Sequence, residues 1–222
     1  EYGKHRANVR LIDGQAMLAY SRAERGWVKQ QILKWLAARF VQTDHFLILD
    51  AKNHFIRPVK ATAFWTQGGK LRTPGYPLNE AFTEEFRNAC TLFGVEPTAS
   101  DFRRAMSQST PYIVRTEDIL RMMEETEKQC GRDFESAFIQ NGPFTEFYLL
   151  YAWILSQQNH FERYYHFERN INVTFWNPRK ETADTLKEKR ARLAKPHICS
   201  MGVHRRYVKN MPAISSGPIL QI

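Results

Sequence analysis

The sequence predicts a mixed α/β fold. Three observations lead there: an apolar run in "HFLILD" (45–50) with the look of a strand buried on both faces, helical spacing of apolar residues just before it, and a strand-helix alternation that continues to the end of the chain. The run ends abruptly on Asp50, with Lys52, Asn53 and His54 following. A strand needs polar residues to end it, but the ends of strands in open α/β sheets are also where ligands bind.

In chain order, "NVRLID" (8–13) reads as a short strand. "RGWVKQQILKWLAARF" (25–40) sets Trp27, Ile32, Trp35 and Leu36 at helical spacing. "HFLILD" follows as a strand, as does "IRPVKATAFW" (56–65), and the glycines and prolines of "TQGGKLRTPGYP" (66–77) predict a loop. "NEAFTEEFRNACTLFGV" predicts a helix ending at Gly94, and "PYIVRT" a short strand. Thr116 then caps "EDILRMMEETEKQC", whose first turn carries the acids that a helix dipole favours. "GPFTEFYLLYAWILSQQ" (142–158) reads as a buried helix with Thr145 near its start, followed by the aromatic stretch "HFERYYHFERN". The remainder is a strand "INVTFW", a charged helix over about 178–193, and a last strand "HICSM" leading into "GVHRRYV".

There is no internal repeat and no clear linker, so residues 1–222 read as a single domain. The chain lacks an initiator Met and a strand before Val9, which suggests a domain that is incomplete at its N-terminus.

Composition narrows the function. With 43% hydrophobic residues, five Trp, nine Tyr and fifteen Phe, the chain has material for a substantial core. No run of about 18 apolar residues occurs, and the opening "EYGKHRANVR" is too polar for a signal peptide. Cys90, Cys130 and Cys199 are far apart and lie at no zinc spacing, which fits a reducing cytoplasm. The net charge of +9 admits nucleic acid, an anionic membrane surface or phosphorylated small molecules. The basic residues are dispersed among acids, with neither zinc-finger spacing nor an RNA-binding signature, so no nucleic-acid partner is expected. No Ser/His/Asp order, HExxH or Walker glycine loop supports a hydrolase or a kinase.

"RGWVKQQILKW", "HFLILDAKNHFIRPV", "TPYIVRTEDILRMM", "FTEFYLLYAW" and "GVHRRYV", in this order and over nearly the whole chain, resemble a bacterial family of glycosyltransferase-like proteins of surface-polysaccharide gene clusters. The resemblance implies a GT-A-like fold, a mostly parallel sheet flanked by helices and here lacking its first strands. A nucleotide-sugar would lie over the carboxyl ends of the strands, with an Asp-x-Asp motif holding a magnesium or manganese ion on the diphosphate. It further implies transfer of a sugar to a glycan or lipid-linked acceptor hydroxyl, in the cytoplasm or at the inner face of the cell membrane. The alternative is a catalytically inactive glycan- or nucleotide-binding module of the same fold.

The chain departs from that pattern at one place. Asp50-Ala51-Lys52-Asn53 stands where Asp-x-Asp is expected, so one carboxylate of the metal clamp is replaced by an ammonium. Two unit cations about 4 Å apart repel by roughly 4 kcal/mol at an effective dielectric of 20. Lys52 therefore competes with a metal and is able to neutralise a phosphate itself. The alternatives are that Lys52 points into solvent from a turn and that Asp50 only ends the strand.

The resemblance assigns catalytic roles to Glu146 and Asp50. Donor binding is expected of Gln30, Gln31, Lys34, Asp50, Asn53, His204 and Arg205 from the resemblance and of Lys52 from its charge, and metal ligation, if an ion is used, of Asp50 and His204. Residue chemistry bears on several of these. Gln30, Gln31 and Lys34 lie within one turn of each other, so at least one is expected to face the sheet edge while Ile32 and Trp35 face the core; the alternative is a plain surface helix. Glu146 is an isolated carboxylate at the start of an apolar helix, and so either handles the acceptor hydroxyl as a base or is held by helix N–H groups. His204, with Arg205 and Arg206 beside it, is either phosphate-seeking or structural. His54, His160 and His166 have aromatic neighbours that make packing the simpler reading.

Overall fold

A computed structural model of the chain describes residues 7–19, 26–177, 179 and 181–209. In chain order the elements are α1 (Gly14–Met17), α2 (Gly26–Leu36), β1 (His45–Ile48), β2 (Asn53–Phe55), β3 (Leu71–Tyr76), α3 (Thr83–Leu92), α4 (Ala99–Arg103), β4 (Ala105–Met106) and β5 (Tyr112–Arg115). They continue with α5 (Thr116–Cys130), α6 (Phe134–Gln140), α7 (Glu146–Ser156), α8 (His160–Tyr164), β6 (Tyr165–Glu168), β7 (Asn172–Phe175), α9 (Ala183–Leu193), β8 (Ser200–Val203) and α10 (Arg205–Lys209). The fold is mixed α/β, and no helix among the described residues is long and apolar enough to cross a membrane.

The chain divides into two compact units, one of Glu1–Phe46, Pro77–Ala105 and Arg115–Gln158, the other of Leu47–Tyr76, Met106–Val114 and Asn159–Ile222. The first holds α1 to α7 and is helical in character; the second holds most of the strands with α8 to α10.

In the helical unit the core gathers around α7. Phe147, Leu149, Leu150, Ala152 and Ile154 are all fully buried, so the helix is apolar on every side, as a central helix must be. Trp35 of α2 meets Phe147 edge to face at 5.6 Å, and Phe86 of α3 stacks on Tyr151. Such ring pairs add about 0.5–1.5 kcal/mol beyond the area they bury. Gly131, left-handed at φ 64°, ends α5 where a Cβ would be strained.

In the strand-rich unit the strands form small sheets of mixed sense. β2, β8 and β7 lie side by side, β2 antiparallel and β7 parallel to β8; β4, β3 and β6 make another sheet, with β3 and β6 parallel. β1 pairs with β5 in a two-stranded sheet and buries only Ile48, so 45–48 is a strand but not one buried on both faces: with one neighbour among the described strands, it is not enclosed. In place of the one mostly parallel sheet expected there are small separate sheets, with parallel pairing in β3–β6 and β7–β8.

Four local expectations are corrected. Residues 8–13 are not a strand: Asp13 accepts the Gln15 N–H and caps α1, while Leu11 and Ile12 stay exposed. "IRPVKATAFW" is irregular, with a 3-10 turn at Ala61–Ala63, and its contribution to pairing is a bridge from Trp65 to Leu71. The turn signals of 66–77 are confined to its start, where Thr66 accepts the Gly69 N–H and Gly69 takes φ 76°. β3 then begins at once and tolerates Pro74, whose carbonyl accepts the Ser107 N–H. Thr116 does not cap α5; Arg115 occupies the cap position and the Thr116 hydroxyl donates to the Thr43 carbonyl. In addition, the structure has a helix, α6, that the sequence pattern does not predict, and "HFERYYHFERN" resolves into α8 and β6. Of the predicted helices, Arg25, Pro178 and Lys180 lie outside the described residues.

Candidate functional site

The strand-rich unit gathers Asp50, Lys52, Asn53 and His204. Residues 50–53 form a turn closed by the Asn53 N–H on the Asp50 carbonyl at 2.9 Å, which sets Asp50 beyond the end of β1 and Lys52 at the start of β2. Because β2 runs antiparallel to β8, its start lies beside the carboxyl end of β8, and the Val203 N–H donates to the Lys52 carbonyl at 2.9 Å. β7 is parallel to β8 and ends at the same edge, where the His204 N–H donates to the Phe175 carbonyl at 2.8 Å. Two parallel strands thus deliver Trp176 and His204 to the place where the turn delivers Asp50 and Lys52.

The side chains meet there. The Lys52 ammonium makes an ion pair with Asp50 and lies 5.0 Å from the centre of the Trp176 ring. The His204 ring rests against the same indole, centroid to centroid 5.5 Å. Trp176 is nevertheless 49% exposed, an apolar platform open to solvent beside a cation. His204 Nδ1 accepts the Arg206 N–H at 3.2 Å, leaving the ring proton of the neutral imidazole on Nε2. Its pKa is pushed below the usual 6.5 by burial and then by the Lys52, Arg206 and Arg205 charges. Arg205 and Arg206 are exposed.

Asn53 is committed inward. Its Oδ1 accepts from the Thr110 hydroxyl at 2.6 Å, and its Nδ2 donates to the Thr110 carbonyl and to Asn172 Oδ1. Gly202 makes room for this network, because a Cβ there would stand 2.9 Å from Thr174 Oγ1 and 3.0 Å from Asn53 Nδ2. Asn53 therefore fixes the turn that presents Lys52.

The remaining predicted residues belong to the helical unit. Glu146 begins α7, and its carboxylate takes the Lys34 ammonium at 2.8 Å, with both side chains nearly buried. The Glu146 N–H donates to Gln31 Oε1 at 3.0 Å and its carbonyl accepts from the Trp35 indole at 3.2 Å, so three residues of α2 hold the first turn of α7. Gln31 is fully buried, whereas Gln30 is exposed. Of the lower-ranked histidines, His54 and His166 are exposed and His160 packs on Tyr164.

Asp50 and His204 by themselves do not fit a divalent ion. Such an ion requires carboxylate or other oxygen ligands around an uncompensated position, and here the Lys52 ammonium already occupies the Asp50 carboxylate. Among the described residues, no group of three or more His, Cys, Asp or Glu is placed to hold a metal. Sequence reasoning misses Trp176, the last residue of the predicted strand "INVTFW". The signal available for it was an aromatic residue at the carboxyl end of a strand, and its pairing with Lys52 required the register of β2, β8 and β7.

No curated protein matches the chain at a significant level. A family does, over residues 6–178, a span that includes Asp50, Lys52, Glu146 and Trp176 and stops before His204. The chain belongs to that family, described as a family of unknown function, DUF6492.

Proposed function

We propose that the chain is a GT-A-type glycosyltransferase that moves a sugar from a nucleotide-sugar to a glycan or lipid-linked acceptor hydroxyl, with its donor diphosphate held at the Lys52 edge. The observation that carries this reading is the cluster of Lys52, Trp176 and His204 at the carboxyl ends of the parallel pair β7–β8, where α/β sheets bind ligands. An ammonium has three donors, so Lys52 is able to keep Asp50 and still contact a phosphate oxygen. The His204 Nε2–H offers a second donor, and the exposed face of Trp176 suits a sugar or base ring. As the glycosyl bond breaks, negative charge gathers on the departing diphosphate, and donors already aimed at it stabilise that charge.

A second reading, a binding module without turnover, is favoured by the Lys34–Glu146 pair, because a carboxylate held by an ammonium is not free to act as the acceptor's base. Titrating a panel of nucleotide-sugars into wild type, Lys52→Ala and Lys52→Asp, each with and without chelator, tests the donor site. Wild-type binding is expected to survive chelator. Lys52→Ala should weaken it by a charge-assisted hydrogen bond of about 1.5–3 kcal/mol. Lys52→Asp should make it depend on magnesium or manganese. Wild-type binding that disappears in chelator overturns the role given to Lys52. Sugar transfer by wild type separates the enzyme from the silent module, and its loss in Glu146→Gln with donor binding and the unfolding transition both unchanged would give Glu146 the acceptor role.

A further inference from the structure

The strand-rich unit carries a cleft at the end of its sheet opposite to the Lys52 edge. Ile171 and Cys199 immediately precede β7 and β8, and both line a cleft of about 690 Å3. The Trp176–His204 cluster follows the opposite ends of those two strands. Pro58 and Pro196 complete an apolar wall, and the volume lies within the range of about 300–1,000 Å3 typical of small-molecule sites.

The charges on this cleft are unbalanced. Lys60, Arg72 and Arg169 line it against Glu168. Arg72 and Glu168 lie on the neighbouring parallel strands β3 and β6, two register positions apart and so on one face, and their side chains form an ion pair. The Arg72 Nε–H donates to the Trp65 carbonyl at 3.0 Å, which fixes its guanidinium further. The one carboxylate is therefore used by Arg72. Among the described residues, the side chains of Lys60 and Arg169 make neither a hydrogen bond nor an ion pair, and His197 adds a further nitrogen to the rim. Two free cations over an apolar wall form the pattern that receives an oxyanion on a compact organic body.

We propose that this cleft binds a small ligand bearing a carboxylate or a phosphate, such as an anionic monosaccharide, with Lys60 and Arg169 receiving the oxyanion and Arg72 held in place by Glu168. The proposal is independent of the nucleotide-sugar reading, which concerns the other end of the sheet.

Calorimetric titration of glucuronate, glucose 6-phosphate, inorganic phosphate and neutral glucose into the full chain tests it. Glucuronate or glucose 6-phosphate should bind saturably and glucose should not, and the tighter of the two identifies carboxylate or phosphate as the preferred group. Replacing both exposed cations, Lys60→Ala with Arg169→Ala, should weaken that binding at least about tenfold, as expected for lost charge-assisted bonds. Lys187→Ala, which removes an exposed cation of α9 outside the cleft, should leave it within about twofold. Thermal melts of each variant check that the fold is retained. The proposal is overturned if no oxyanion saturates, if glucose binds equally well, or if Lys187→Ala weakens binding as much as the double variant does.

Discussion

Lys34 in the helical unit and Lys52 in the strand-rich unit are built alike at close range. Each pairs with a carboxylate, Lys34 with Glu146 and Lys52 with Asp50, and each lies near an aromatic face, Phe147 at 5.3 Å and Trp176 at 5.0 Å. They differ in what the pair connects. Lys34 and Glu146 are 112 residues apart, and Gln31 and Trp35 hold the same helix start, so the pair fastens α2 to α7. Lys52 and Asp50 are two residues apart within one turn, and their pairing brings no distant segment together. Phe147 is fully buried, whereas Trp176 is half exposed. An ion pair that joins distant segments under a buried ring serves the fold. A local pair under an exposed ring leaves its lysine within reach of a ligand.

The comparison breaks most visibly at Lys34. Lys34→Met leaves the Glu146 carboxylate buried without its cation, and breaking such a pair costs about 3–5 kcal/mol, to be read from urea unfolding. The double variant Lys34→Met with Glu146→Leu should recover most of that loss, because the uncompensated charge is gone. A single variant as stable as wild type would remove the distinction between the two lysines.

A smaller effect is expected at Gly202. Gly202→Ala forces a Cβ into the Asn53 and Thr174 side chains, for a loss of about 1–3 kcal/mol in the same experiment. Because Asn53 fixes the turn, Lys52-dependent ligand binding should weaken with it.

Lys52→Ala should cost less stability than Lys34→Met, since its pair lies within one turn and ties down no distant segment, although both pairs are largely covered. Its effect belongs in ligand binding. A large loss of stability would class Lys52 with Lys34.

The smallest effect follows from His204. Its folded-state pKa is lowered, so the unfolded chain takes up a proton that the folded chain resists. Its contribution is constant well above pH 6.5 and declines as pH falls through the unfolded value. Unfolding at stepped pH should show a shallow loss on the acid side that His204→Gln reduces, and NMR titration should place the imidazole midpoint below 6.5. A midpoint above it would mean that burial and the Lys52, Arg206 and Arg205 charges do not govern the ring.

Much of the local structure follows from the sequence alone. The apolar spacing of 25–40, the apolar run 45–48, the amphipathic 116–130 and the apolar stretch 147–154 became α2, β1, α5 and α7, although in β1 only Ile48 is buried. Where one segment needed a partner, sequence was insufficient. Residues 8–13 have strand-like composition, but the Asp13 cap turned their end into α1. Residues 71–76 have loop-like composition, but β4 and β6 supply their backbone bonds and make them a strand. The candidate site divides in the same way. Asp50, Lys52 and Asn53 were legible because they end an apolar run, and the turn joining them is local. Only the tertiary structure decided that Trp176 and His204 reach Lys52, that Asn53 is spent on Thr110 and Asn172, and that Glu146 is bound to Lys34. Each of these depends on register or packing between segments far apart in the chain, and composition and periodicity carry no record of which distant partner a side chain meets.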